Sequence, residues 1–301
     1  MSAVVRTVTG DIAPGELGRC DVHEHLLMRT PLLPGEELDD VERSAAEAGA
    51  VRAAGIDALV ELTTLGLGRD PHALRAIAER TGLRIVMATG VHREAHHPPG
   101  DPLRDVPAGT LADRFVADIE HGTDGVRAGV IKVGAGYWSV SPFERRAIEA
   151  AGEAHRRTGA AVVCHLEQGT AALEVLELLG RAGVPPPRVA LAHLDRNPDP
   201  GLHLEVAAAG AFVGYDGWAR PKYFPDSTLL DCLLAVAAGG GADAIVLGGD
   251  VARRSTFRAY GGMPGMDYLP RRVVPRLRAA GGDELVSRVL TDNPSRLLAL
   301  P

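Results

Sequence analysis

Residues 161–195 read AVVCHLEQGTAALEVLELLGRAGVPPPRVALAHLD, and one repeating unit of the fold is visible in them. A short apolar, β-rich run, Ala161–His165, gives way to a loop and then to an amphipathic helical stretch, Ala171–Ala182. Gly183 stands where a helix ends on a left-handed residue, and Val189–His193 is the next apolar run. Strand, helix and strand in about thirty residues is the parallel βαβ unit. Both strands end in a histidine.

The unit recurs along the chain. Further strand candidates are Arg19–His25, Ala58–Leu62, Arg84–Thr89, Gly129–Val133, Ala211–Tyr215 and Ala244–Leu247. Helical stretches Pro71–Thr81, Pro142–Thr158, Leu202–Ala209 and Ser227–Ala238 lie between them, with Gly82, Gly159 and Gly210 at helix stops. Eight strands alternating with helices predict an α/β fold with a parallel sheet, and eight is the number that closes a (β/α)8 TIM barrel. An open, doubly wound sheet is the competing architecture. No Pro- or Ser-rich linker divides the chain, so residues 1–301 are expected to form a single barrel domain. The first dozen residues read as a short strand arm. The tail, Val273–Leu300, reads as a helix, Pro275–Ala280, followed by two apolar helical pieces packing under the barrel.

Composition narrows the function. Hydrophobic residues make up 46% of the chain, enough for a large core, but aromatics only 4%, so that core is built from Ala, Val, Leu and Ile. A formal net charge of -7 argues against a general nucleic-acid binder. It leaves room for an anionic small-molecule substrate, since a pocket can be locally positive in an acidic protein. Cys20, Cys164 and Cys232 show no CxxC spacing and read as free thiols of a reducing compartment. The N-terminus lacks the basic and apolar regions of a signal peptide. The most apolar stretch, Leu229–Ala238, is interrupted by Asp231 and too short to span a bilayer. A cytoplasmic protein with no membrane partner is expected.

The unusual polar residues fall at strand ends. DVHEHL (21–26) places His23 and His25 two apart, on one side of a strand. GVIKVG (129–134) puts Lys132 near the end of the fourth strand. His165 and His193 end the fifth and sixth, and AIVLGGD (244–250) sets Asp250 just past the eighth. Singly, each has a bland reading: a hydrogen-bonded core histidine, a lysine reaching solvent, an aspartate capping a helix. Together they crowd the C-terminal face, where barrel enzymes do their chemistry. Four imidazoles, an amine and a carboxylate would be costly to bury uncompensated, and a metal pair removes that cost.

This ordered set, from DVHEHL to TDNPSRLL (291–298), resembles the phosphotriesterase-like family of the amidohydrolase superfamily over essentially the whole chain. The resemblance implies two divalent ions. His23, His25 and Asp250 would hold a buried one, and His165 with His193 an exposed one. Lys132, carboxylated to N6-carboxylysine, would bridge both. It further implies attack by a metal-bridging hydroxide on a polarised carbonyl or phosphoryl group, with Asp250 moving the proton. Such donors suit zinc, with cobalt, manganese or iron as alternatives. A homodimer is the assembly the family suggests.

Two loops bear on the substrate. YDGWARPKYFPDST (215–228) and GGDVARRSTFRAYGG (248–262) resemble the subgroup that hydrolyses phosphorylated sugar lactones. That likeness implies phosphate contacts from Lys222 and Arg253. A tyrosine of the same pocket is replaced by Thr256, with Tyr260 nearby, and Lys and Arg would equally hold a carboxylate. The bland alternative is that both are solvated loop charges, and Arg254 is expected to be structural or exposed. The expected function is a metal-dependent hydrolase opening an anionic lactone. Alternatives are an organophosphate triesterase, for whose aromatic pocket Tyr137, Trp138 and Trp218 are available, an acyl-homoserine lactonase, and an amide or formyl hydrolase. A non-enzymatic metal-binding barrel is the remaining one. GVHREAHHPPGD (90–101) reads as a loop above the barrel whose His92, Arg93, His96 and His97 could touch substrate, none of them a metal ligand.

Overall fold

The barrel strands of the computed structural model, which describes residues 3–301, are short and almost wholly buried. An antiparallel hairpin, β1 (Val5–Thr7) with β2 (Gly10–Ile12), forms the N-terminal arm. Eight parallel strands follow: β3 (Cys20–Glu24), β4 (Ala58–Glu61), β5 (Arg84–Gly90), β6 (Val130–Ala135), β7 (Val162–Leu166), β8 (Val189–Ala192), β9 (Phe212–Tyr215) and β10 (Ile245–Leu247). Each pairs with its sequence neighbour. At the remaining seam, between β10 and β3, the N–H groups of Gly249 and Asp250 donate to the carbonyl of His23 at 3.2 and 2.7 Å. The ring is thus nearly closed, and the open doubly wound alternative is excluded.

Helices α1 (Val41–Ala53), α2 (Pro71–Thr81), α3 (Ala108–Glu120), α4 (Pro142–Thr158), α5 (Ala172–Arg181), α6 (Pro200–Ala208) and α7 (Asp226–Val236) lie between successive strands. Their ends follow local chemistry. In α4, Ser141 and Glu144 form a capping box, Pro142 occupies the first turn, and Gly159 ends the helix at φ 73. Sequence periodicity does not reveal α1, because its buried face is Ser44, Ala45, Glu47, Ala48 and Val51, too small and polar to mark a stripe. Past β10, the helix expected at Pro275–Ala280 runs longer, as α8 (Val274–Ser287), bent at Gly282 (φ 82). The last helix, α9 (Asn293–Leu298), buries Leu297 and Leu298 in the core that fills the barrel's interior.

Strand alternation sorts the side chains. On β6, Val130 packs inside the barrel while Ile131 and Val133 face the helices, so Lys132 points inward. On β7, Val163 is inside while Val162, Cys164 and Leu166 face out, so His165 also points inward. Strand β3 departs from strict alternation. Asp21 pairs with Leu59 and Glu24 with Glu61, three residues against two. This irregularity lets Val22 and His23 line the same interior cavity. Beside Lys132, Gly90 sits at φ 114, and a Cβ there would lie 1.9 Å from the Lys132 carbonyl oxygen, so only glycine fits. No described helix is long and apolar enough to cross a membrane.

Candidate metal centre

Hydrogen bonds settle which imidazole nitrogens remain free. The Asp216 carboxylate, one residue past β9, accepts from Nδ1 of His23 at 2.8 Å and from Nδ1 of His193 at 2.6 Å. Both Nε2 lone pairs are therefore left for a ligand. The Thr63 hydroxyl donates to Glu61 at 2.6 Å, so its oxygen accepts from Nδ1–H of His25 at 2.9 Å, freeing that Nε2 as well. His165 is held the other way round. Its Nε2 donates to Glu167 at 2.9 Å, Arg93 pairs with the same oxygen at 3.0 Å, and Nδ1 stays free. Burial lowers the pKa of all four imidazoles, to about 3 for His25 and about 4 for His165, which keeps them in the neutral form that ligates.

Asp250 faces this group. Its Oδ1 lies 3.5 Å from Nε2 of His23 and 3.6 Å from Nε2 of His25. Potential donor atoms of His23, His193 and Asp250 all fall within 4.8 Å of one another. The His165 and His193 rings stand edge-on at 4.4 Å. Oδ2 of Asp250 is gripped by Arg196 at 3.0 Å and Arg220 at 2.9 Å. Burial alone would raise the Asp250 pKa, but the charges around it, with Arg220 and Arg196 in direct contact, outweigh it and hold the carboxyl ionised. Both His193 (φ 64) and Asp250 (φ 48) adopt left-handed backbone, which a non-glycine residue holds only where the surroundings enforce it.

Lys132 is the anomaly. Only 1% of it is exposed, and Nζ has no hydrogen-bond partner among the described residues. Burial pulls its pKa down to about 8, against the pull of Asp216 and Asp250. An unpartnered buried amine is costly, and it fits a site completed by a further group. The donor set as a whole suits divalent metals: neutral imidazoles with fixed free nitrogens, an ionised carboxylate, and a buried lysine whose amine has no partner. Asp216, Thr63, Glu61, Glu167, Arg196 and Arg220 were not anticipated from the sequence. Asp216 carries the same strand-end signal as the ligands, whereas the arginines lie on loops with no such signal.

The outer residues are less gathered. Lys222 and Arg253 are exposed and, among the described residues, neither is in an ion pair; the Lys222 ammonium lies 4.9 Å from the Tyr223 ring centre. Thr256 turns its hydroxyl to the Arg253 carbonyl at 2.7 Å. Tyr260 does not take the missing tyrosine's place. Its hydroxyl accepts from the N–H groups of Asp39 and Asp40, and Arg43 and Arg254 stack on its ring at 4.7 and 4.6 Å, which gives Arg254 its structural role. Trp218 is buried, with Nε1 donating to the Tyr215 carbonyl at 3.1 Å. In the loop after β5, His97 is fully buried on Asp101. His92 stacks on His96 at 4.1 Å and stands 4.7 Å from His165.

Three comparisons bear on this arrangement. The model of the phosphotriesterase family matches residues 3–298. A phospho-furanose lactonase of Mycoplasmopsis agalactiae is 32% identical over 98% of this chain and 91% of its own. An N-acetyltaurine hydrolase of Danio rerio is 28% identical over 98% of this chain and 97% of its own. The crystal structure of a lactonase from Listeria monocytogenes superposes with a TM-score of 0.90 at 30% identity, covering 98% of both chains.

Proposed function

The chain belongs to the phosphotriesterase family, and from that premise we propose that it is a binuclear metal-dependent lactonase acting on an anionic, sugar-phosphate-like lactone. The observation that carries the reading is the convergence of four neutral imidazoles, Asp250 and the unpartnered Lys132 at the barrel mouth. His23, His25 and Asp250 would hold one ion and His165 with His193 the other. Lys132, carboxylated by carbon dioxide at Nζ with loss of a proton, would span the two. When bound, the ions supply Lewis acidity toward the ester carbonyl and acidify a water. Zinc is the metal we favour, with cobalt, manganese and iron as alternatives.

The chain's own groups do the rest. Asp216 fixes the tautomers of His23 and His193, and Thr63 that of His25. Asp250, beside His23, His25 and His193, is placed to receive the water's proton and return it to the leaving alkoxide. Lys222 and Arg253 stand on the loops after β9 and β10 as free cations for the substrate's anion.

The test separates anion binding from chemistry. Charge-assisted contacts contribute about 1.5–3 kcal/mol, or one to two orders of magnitude in kcat/KM. Lys222→Ala and Arg253→Ala are expected to lower kcat/KM by that much for a 5-phosphorylated lactone and to change the unphosphorylated lactone little. Equal losses on both substrates would make the two residues structural and defeat the anionic-lactone reading. Hydrolysis of an N-acyl sulfonate such as N-acetyltaurine with no lactone turnover would shift the assignment to amide cleavage at the same centre.

A further inference from the structure

The chain has five phenylalanines, five tyrosines and two tryptophans. Four of these aromatics are exposed: Tyr137 (63%), Trp138 (61%), Tyr223 (41%) and Phe224 (36%). All four lie on loops at the C-terminal face. Tyr137 and Trp138 form the tip of a tight turn bridged between Gly136 and Ser139, five and six residues beyond Lys132. Trp138 adopts φ 45, a conformation usually given to Gly or Asn in such a turn. Turn chemistry therefore does not account for an aromatic pair here, and a pair this exposed points to a contact with something else.

The loops are tied together. The Trp138 N–H donates to the Thr170 hydroxyl at 3.1 Å, joining the loop after β6 to the loop after β7. Tyr223 and Phe224 stand on the loop after β9. The aromatic rim thus follows the strand ends that carry Lys132, His165 and Asp216. By strand order β6 lies opposite β10 in the ring, so the Tyr137–Trp138 tip stands across the mouth from the loop carrying Arg253.

We propose that the Tyr137–Trp138 turn is a substrate subsite that packs against a ring-bearing group on the side of the scissile bond remote from the anion. The inference rests on the reading of this mouth as a hydrolase site and narrows its substrate class to one with an anion at one end and a ring at the other. A second copy of the chain is the poorer occupant. Four half-exposed aromatics offer roughly 400 Å², against about 800 Å² per partner in a standard interface.

Trp138 is also the reporter, because the other tryptophan, Trp218, is buried. Metal-loaded protein is titrated with 4-phenylbutyl phosphate, whose flexible chain lets phosphate and ring lie apart, and separately with inorganic phosphate, by tryptophan emission and by calorimetry. 4-Phenylbutyl phosphate is expected to blue-shift the emission and inorganic phosphate to leave it unmoved. In Trp138→Ala the shift disappears and the Kd for 4-phenylbutyl phosphate weakens by about fivefold to tenfold, while the Kd for inorganic phosphate stays the same. The proposal is overturned if 4-phenylbutyl phosphate gives no shift, or if Trp138→Ala weakens both ligands equally. It is also overturned if that variant changes the sedimentation coefficient, which would make the patch a subunit contact. Binding needs no turnover. A protein that discriminates the two probes but opens no lactone retires the lactonase reading alone, and one that opens lactones without discriminating them retires the ring subsite alone.

Discussion

Lys132→Ala and Lys132→Met are expected to lose hydrolysis by on the order of a thousandfold or more, as removal of one member of a cooperating catalytic unit does. Their folding should survive. Lys132→Met replaces an unpartnered amine in the barrel interior by an apolar chain of similar length. It should therefore melt no lower than the metal-free native protein. Added formate, acetate or propionate should restore part of the activity of Lys132→Ala, since a short carboxylate can enter the vacated space and span two ions. Thermal melts, metal analysis and rescue kinetics together check this. Full activity in Lys132→Met would remove the carboxylated lysine from the account.

Asp216→Asn should weaken the site by another route, although Asp216 is not expected to touch a metal. The carboxylate accepts from Nδ1–H of both His23 and His193. An asparagine offers one carbonyl oxygen and one amide, so one of the two imidazoles must move its proton to Nε2 and stop being a ligand. Loss of such an orienting partner weakens metal binding by about 10–100-fold. The expected result is a rise of that size in the metal concentration needed for half-maximal hydrolysis, with activity partly recovered at excess metal. Hydrolysis at an unchanged metal midpoint would show that the tautomers are set by something else.

How much of this was legible in the sequence depends on what each residue's position had to encode. The barrel was legible because strand–loop–helix periodicity repeats and glycines such as Gly82 and Gly159 end the helices at positive φ. His23, His25, Lys132, His165, His193 and Asp250 stood out because a polar residue closing an apolar run is conspicuous. The inward turn of His23 was not legible, since it depends on a strand irregularity that appears only when β3 meets β4. Asp216 has the strand-end signal, but it opens a loop in which Lys222 is the more conspicuous charge. Arg196 and Arg220 reach Asp250 from separate loops, and sequence spacing carries no information about where a long loop side chain points. Tyr260 looked available for substrate because its role is long-range: it binds the backbone at Asp39 and Asp40, the start of α1. That helix, in turn, lacked the apolar stripe that would have announced it.

The central claim is that hydrolysis at this mouth requires two metals held by these six residues. Metal-free protein, titrated with zinc in the presence of bicarbonate and assayed on a 5-phosphorylated lactone, tests it most directly. Hydrolysis is expected to be absent at the start and to level off at two equivalents of zinc per chain. A plateau at one equivalent, or turnover without any metal, would contradict it.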